Sequence, residues 1–244
     1  MRTLIFAKRC FKEILRDPLN LIFGLGFPII ILLLLSAIGA NAPVDLFKIE
    51  ALAPGVVVFG LSFTTLFSAT LIARDRESAF LQRLYTTPIK AIDFILGYTL
   101  PIVVMAILQS GICYGVAIIL GLNPSINVLY GALCVLPIAI LYVALGLLCG
   151  SVFNVKQVGG FCGALLTNLS AWLSGIWFDL ELVGGAFVKI ANCLPFVHAV
   201  EFERAVLSGN AIGALPSLLI VAVYGVAIFI GAVLLFLRQM QGDK

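Results

Sequence analysis

Charge is what this 244-residue sequence lacks: Asp, Glu, Lys and Arg make up 11% of it, while apolar residues make up 62%. A soluble domain carries roughly 25% charge. A soluble fold of this length has too little interior to hide so much apolar surface. With a mean hydropathy of +1.16, soluble enzymes and nucleic-acid-binding proteins are excluded, and a multi-span integral membrane protein is expected. Histidine is nearly missing too, with His198 alone. An intramembrane serine protease needs Ser and His together within the bilayer, and a metal site in Glu201-Phe202-Glu203-Arg204 would need a second His. Gly60-Leu61-Ser62-Phe63 also lacks the Gly that would complete a rhomboid-type motif. No Gly-x-x-x-x-Gly-Lys-Ser/Thr phosphate loop occurs, so this chain is not its own ATPase. Its six cysteines show neither metal spacing nor a disulfide framework.

The apolar residues come in charge-free runs at 18–44, 51–73, 94–155, 157–178 and 205–237. One helical span takes about 20 residues. The run 94–155 is too long for one span, and Gly121-Leu122-Asn123-Pro124-Ser125 breaks it with a turn signal. Six spans follow, near 19–40, 52–73, 92–120, 127–151, 158–178 and 214–237. The runs do not alternate as β-barrel strands do. The expected fold is therefore all-α.

Twelve of the fifteen Lys and Arg fall on the side that holds both termini when the spans are even in number. By the positive-inside rule, that side is the cytoplasm. The expected location is the plasma (inner) membrane, multi-pass, with membrane lipids as neighbours. The basic start is not expected to be a signal peptide, since no small-residue cleavage site follows it. Over 1–17, Leu4, Ala7, Cys10, Phe11, Ile14 and Leu15 share one helical face, and Lys8, Arg9, Lys12, Glu13 and Arg16 share the other. This pattern predicts an interfacial elbow helix. Asp17-Pro18 then starts the six-span domain, 18–244.

Between spans two and three, residues 74–88 predict a short amphipathic cytoplasmic helix that Pro88 ends. Glu77, Phe80, Leu81 and Leu84 share a face, with Arg76 and Arg83 beside it. An apolar centre with a charged rim suits docking. Residues 178–213 contain two stretches too short to span, Leu182 to Ala191 and Phe196 to Leu207. These predict re-entrant or interfacial outer helices, broken by Pro195 and closed by Gly209, with Glu201, Glu203 and Arg204 paired locally. Asp93 reads as a charge at a helix start. The spans carry no ionisable group of the kind that proton-coupled transporters hold within the bilayer.

Three stretches resemble the membrane subunits of type-2 ABC exporters, the ABC-2 permeases. They are Leu52-Ala53-Pro54-Gly55, then Arg76-Glu77-Ser78-Ala79-Phe80-Leu81-Gln82-Arg83-Leu84-Tyr85-Thr86-Thr87-Pro88, and Leu194-Pro195-Phe196-Val197-His198-Ala199-Val200-Glu201 with Arg204 after it. Ala79 departs from the Gly that family members often carry. The resemblance implies a permease pair, as a homodimer or a heterodimer, working with two ATP-binding cassette subunits. It implies ATP and Mg on those partners, with no cofactor on this chain and no nucleic acid. It makes 74–88 the coupling helix, carried by Arg76, Glu77, Phe80, Leu81, Arg83 and Leu84, with Glu77 and the two arginines pairing with the ATPase and Phe80 and Leu84 filling its groove. It places spans two and five on the pathway, with Phe63, Phe67, Asn168 and Trp172 as substrate contacts. The cargo expected on a weakly polar lining is a drug, an antibiotic or a lipid-like molecule. Polysaccharide or lipid-linked glycan export is the alternative, and a membrane scaffold or sensor without solute transport is an alternative of another class.

Overall fold

The computed structural model describes residues 2–41, 45–78, 80 and 91–242. Among them every regular element is helical. The order is α1 (Arg2–Leu15), α2 (18–41), α3 (Ile49–Glu77), α4 (Ala91–Ile119), α5 (Ile126–Val152), α6 (155–172), α7 (Leu180–Val183), α8 (Gly185–Cys193), α9 (Pro195–Leu207) and α10 (Ala211–Gly242). A 3₁₀ turn at Asp45–Phe47 precedes α3.

Among the described residues, five helices are long and apolar enough to cross a bilayer: those at 22–41, 49–77, 92–119, 126–152 and 212–238. The expected fifth span, 158–178, is helical only as far as Trp172. As α6 it is roughly 27 Å long at 1.5 Å per residue, and Lys156, Gln157, Thr167 and Asn168 make it more polar than the other five. Two stretches widen into π-helix, Ile22–Gly26 and Gly159–Leu166. Both are glycine-containing, and Pro28 follows the first and has no N–H to bond back.

The second span, α3, is the axis of the molecule. Of its most apolar stretch, 89% is buried, against 17% for α10. Small residues make this possible. A Cβ placed on Gly146 of α5 would meet the Ser68 Cβ at 2.5 Å, and one on Gly150 would meet the Ala69 carbonyl oxygen at 2.8 Å. On α2, Gly24 makes room for the Phe67 ring in the same way. The outer helices α4 and α10 show lipid-type faces. Leu96, Leu100, Val104, Leu108 and Ile112 form an exposed stripe on α4 at four-residue spacing.

Within residues 178–213 the chain forms the three short helices α7, α8 and α9. Gly184 and Gly185 both have positive φ, +66° and +59°, and separate α7 from α8. Pro195 opens α9, and Gly209, at φ +76°, closes it. The elbow helix α1 packs along the start of α4: Phe6 lies edge-on to Phe94 and Tyr98, and Thr3 donates to Asp93 in the first turn of α4.

Candidate functional site

The base of α3 is where separate parts of the chain are tied together. Asp75 lies in the last turn of α3, two residues from its end, and is 2% exposed. Its two oxygens accept a bidentate pair of hydrogen bonds from Arg9, both 2.6 Å, and a third bond from the Tyr98 hydroxyl at 2.7 Å. Such fork geometry suits a carboxylate removed from water. Arg9 also pairs with Glu13 at 2.9 Å and lies 4.1 Å from the Phe80 ring centroid, a cation–π stack. Burial opposes the Arg9 charge, but the Asp75 hydrogen bonds and the charges of Asp75 and Glu13 offset it and raise the pKa above its ordinary value. Burial likewise pushes the Cys10 thiol up to about 12, so it is inert as a nucleophile. On the neighbouring turn Arg74 pairs with Asp17 at 3.0 Å, at the bend where the elbow enters α2.

The next two residues reach the other way. Arg76 donates to the Gly150 carbonyl at 2.9 Å and to that of Ser151, serving the orphan carbonyls at the end of α5. The Glu77 carboxylate accepts the backbone N–H of Val155 at 2.9 Å, at the start of α6. Asn154 and Gln157 close a capping box on the same turn. So four consecutive residues, Arg74 to Glu77, join the elbow, the second span, the end of the fourth and the beginning of α6.

Of the six expected coupling residues, Arg76, Glu77 and Phe80 are described and are brought to this junction. Leu81, Arg83 and Leu84 lie outside the described residues. Asp75, Arg9 and Tyr98 were not singled out from the sequence. Asp75 reads there as one member of an alternating charge run, and its partners are distant in the chain.

The four expected substrate contacts do not come together. Phe63 and Phe67 are each 4% exposed. Phe63 packs among Phe23, Phe27 and Phe59, and Phe67 fills the space at Gly24. Asn168 and Trp172 lie on the exposed face of α6, with Trp172 51% exposed. The Asn168 amide donates to the Ala164 carbonyl at 2.7 Å. The hydroxyls of α3 serve packing: Thr65 bonds the Tyr142 carbonyl of α5 at 2.8 Å, and Ser62 and Thr64 bond back along their own helix.

On α9, Glu201, Glu203 and Arg204 do not bond one another and each bonds elsewhere. Glu201 accepts from Ser217 and meets His198 Nδ1, both at 3.1 Å. Arg204 donates to the Ala51 carbonyl at 3.1 Å. Glu203 is fully buried and accepts the Tyr114 hydroxyl at 2.7 Å, while its second oxygen has no partner. Burial pushes its pKa up to about 8. A cleft of about 350 Å³ between α7, α8 and α9 is lined by Asp179, Glu181, Asn192, Glu201 and Arg204, among others. Among the described residues no group of His, Cys, Asp and Glu is placed to hold a metal ion.

The model of the ABC-2 type transporter family matches residues 1–208. This chain belongs to that family. Two relatives carry the name of transport permease ycf38. The Porphyra purpurea protein is 37% identical over 89 residues, 34% of this chain and 30% of its own length. The Cyanophora paradoxa protein is 32% identical over 92 residues, 36% of this chain and 32% of its own length. The match therefore spans about a third of these relatives. Family and fold together make this chain a multi-pass, all-α membrane protein of the ABC-2 type transporter family.

Proposed function

We propose that this permease is half of an ATP-driven exporter, with both termini in the cytoplasm of the plasma (inner) membrane. A separate ATP-binding cassette subunit holds ATP and Mg and docks on the segment that begins at Arg76. The observation that carries this reading is the junction at the base of α3. A push on 74–88 meets an element already fastened to the elbow through Arg9, to the end of α5 through Arg76 and to α6 through Glu77. Displacement there moves several helices as one body instead of bending a free loop.

Arg76 and Glu77 then act first within the chain, as the frame of the docking segment. Phe80, stacked on Arg9, gives the apolar knob a fixed position. Leu81, Arg83 and Leu84 are proposed to complete the contact with the ATPase.

The exposed face of α6 supports a pair of permeases around a shared path. An amide in a span needs a polar neighbour. The amide oxygen of Asn168 has no bond partner among the described residues. Asn168 and Trp172 are therefore assigned to the path or to the facing permease, with Phe63 and Phe67 as the packed layer behind it. A weakly polar lining suits an amphipathic cargo, such as a drug, antibiotic or lipid-like molecule, moved by alternating access.

The test is ATP-dependent uptake of a panel of amphipathic fluorescent compounds into inside-out vesicles holding this chain and its ATP-binding subunit. At least one compound is accumulated with ATP, and Glu77→Lys abolishes accumulation while leaving membrane insertion intact. Full accumulation by Glu77→Lys removes the junction from the mechanism.

A further inference from the structure

The elbow helix divides its cations. Arg9 is turned into the chain and neutralised by Asp75 and Glu13. Lys8, Lys12 and Arg16 have no ion-pair partner among the described residues. They recur every four residues, which places them on one helical stripe. A surface hollow of about 540 Å³ runs along them, also lined by Ile5, Arg9 and Glu13; Glu13 is the one acid in it and is already paired to Arg9. Lys8 also edges a second hollow, of about 360 Å³, whose other walls are apolar: Leu4, Ala7 and Phe11 of α1, and Leu100, Pro101 and Val104 of α4.

A row of free cations and an apolar groove thus share one residue and lie side by side. The groove is continuous with the exposed stripe of α4 that runs on through Leu108 and Ile112, and Leu4 and Ile5 beside it are 67% and 71% exposed. That surface suits hydrocarbon and not a water-soluble protein. The position along α4 agrees. Its 29 residues reach about 43 Å, longer than the ~30 Å hydrocarbon layer. Its first turns therefore stand at headgroup depth, with Leu100 to Val104 just inside the acyl region.

We infer that α1 and α4 form a binding site for one anionic phospholipid, with its phosphate on Lys8, Lys12 and Arg16 and an acyl chain in the groove between Phe11 and Val104. The site rests on the proposed orientation, with the elbow in the cytoplasmic leaflet. It needs neither ATP nor cargo.

The full chain, purified with its ATP-binding subunit in equimolar phosphatidylglycerol and phosphatidylcholine of identical acyl chains, is examined by native mass spectrometry without nucleotide. Phosphatidylglycerol is retained preferentially, and the preference falls about fivefold for each cation changed to Gln. Leu100→Trp, which fills the groove, lowers retention of both lipids. Equal retention of the two lipids by the unaltered chain overturns the site. So does an unchanged preference in Lys8→Gln/Lys12→Gln/Arg16→Gln. Loss of the ATP-binding subunit from that variant with the lipid preference intact gives the cations to a protein contact and overturns the site as well. Should the triple variant not fold, Lys8→Gln and Leu100→Trp decide: both behaving as the unaltered chain overturns the site. A chain that retains phosphatidylglycerol but fails to transport leaves the site standing and removes only the exporter reading.

Discussion

Asp75 does more than any other described side chain to hold the C-terminal end of α3 in place. Replacing it with Asn removes the buried, bidentate partner of the half-buried Arg9 guanidinium and leaves it only the more exposed Glu13 as a counter-charge. Unsatisfied buried polar groups cost about 1–3 kcal/mol. Asp75→Asn is therefore expected to lower the melting temperature of the detergent-purified chain by several degrees, and Arg74→Ala, whose Asp17 pair is half exposed, by much less. A differential scan of both variants checks this. Glu203 gives a pH signature. Its pKa lies near 8 in the fold, above the ordinary 4.5, so the folded state holds the proton more tightly. Stability from this group is complete at pH below 4.5 and declines as pH rises towards 8. Melting curves across that window should show the decline in the unaltered chain and lose that component in Glu203→Gln. An identical slope in both removes Glu203 as the cause.

The close approach of α3 to α5 depends on glycine. Gly146→Val pushes a side chain into Ser68 and the Thr65 carbonyl, an overpacking of the kind that costs about 1–3 kcal/mol. Gly225→Ala on α10 meets Leu141 only at ordinary contact, 3.7 Å, and should be tolerated. Comparing the yield and melting of the two variants tests whether the axis needs that contact. At this scale the sequence was readable wherever one local cause decides. Charge-free runs set the positions of α2 to α5 and α10, Gly121 to Ser125 marked the break between the third and fourth spans, and Asp17-Pro18 marked the end of the elbow. It was not readable where the cause is tertiary. That α3 is buried all round does not follow from its composition, which is no more apolar than that of α10. The π-helical stretches and the Gly184-Gly185 break left only glycine as a signal, and glycine recurs throughout the spans. The partners of Asp75 lie 66 residues before it and 23 after it, beyond the reach of spacing arguments.

For the whole molecule, an apolar body with one heavily bonded corner is the expected shape of a subunit driven from outside. In the proposed exporter, mechanical work enters at a surface, and among the described residues the base of α3 is where that surface is best fastened to the rest. In the proposed permease pair, the exposed face of α6 with Asn168 is the face that the two chains enclose. The most direct measurement is the mass and composition of the particle extracted from native membranes in mild detergent, by native mass spectrometry with an ATPase assay on the same sample. The account predicts two permease chains, this one paired with itself or a relative, bound to two copies of an ATP-binding subunit, with hydrolysis. A particle that carries this chain and no nucleotide-hydrolysing partner contradicts it.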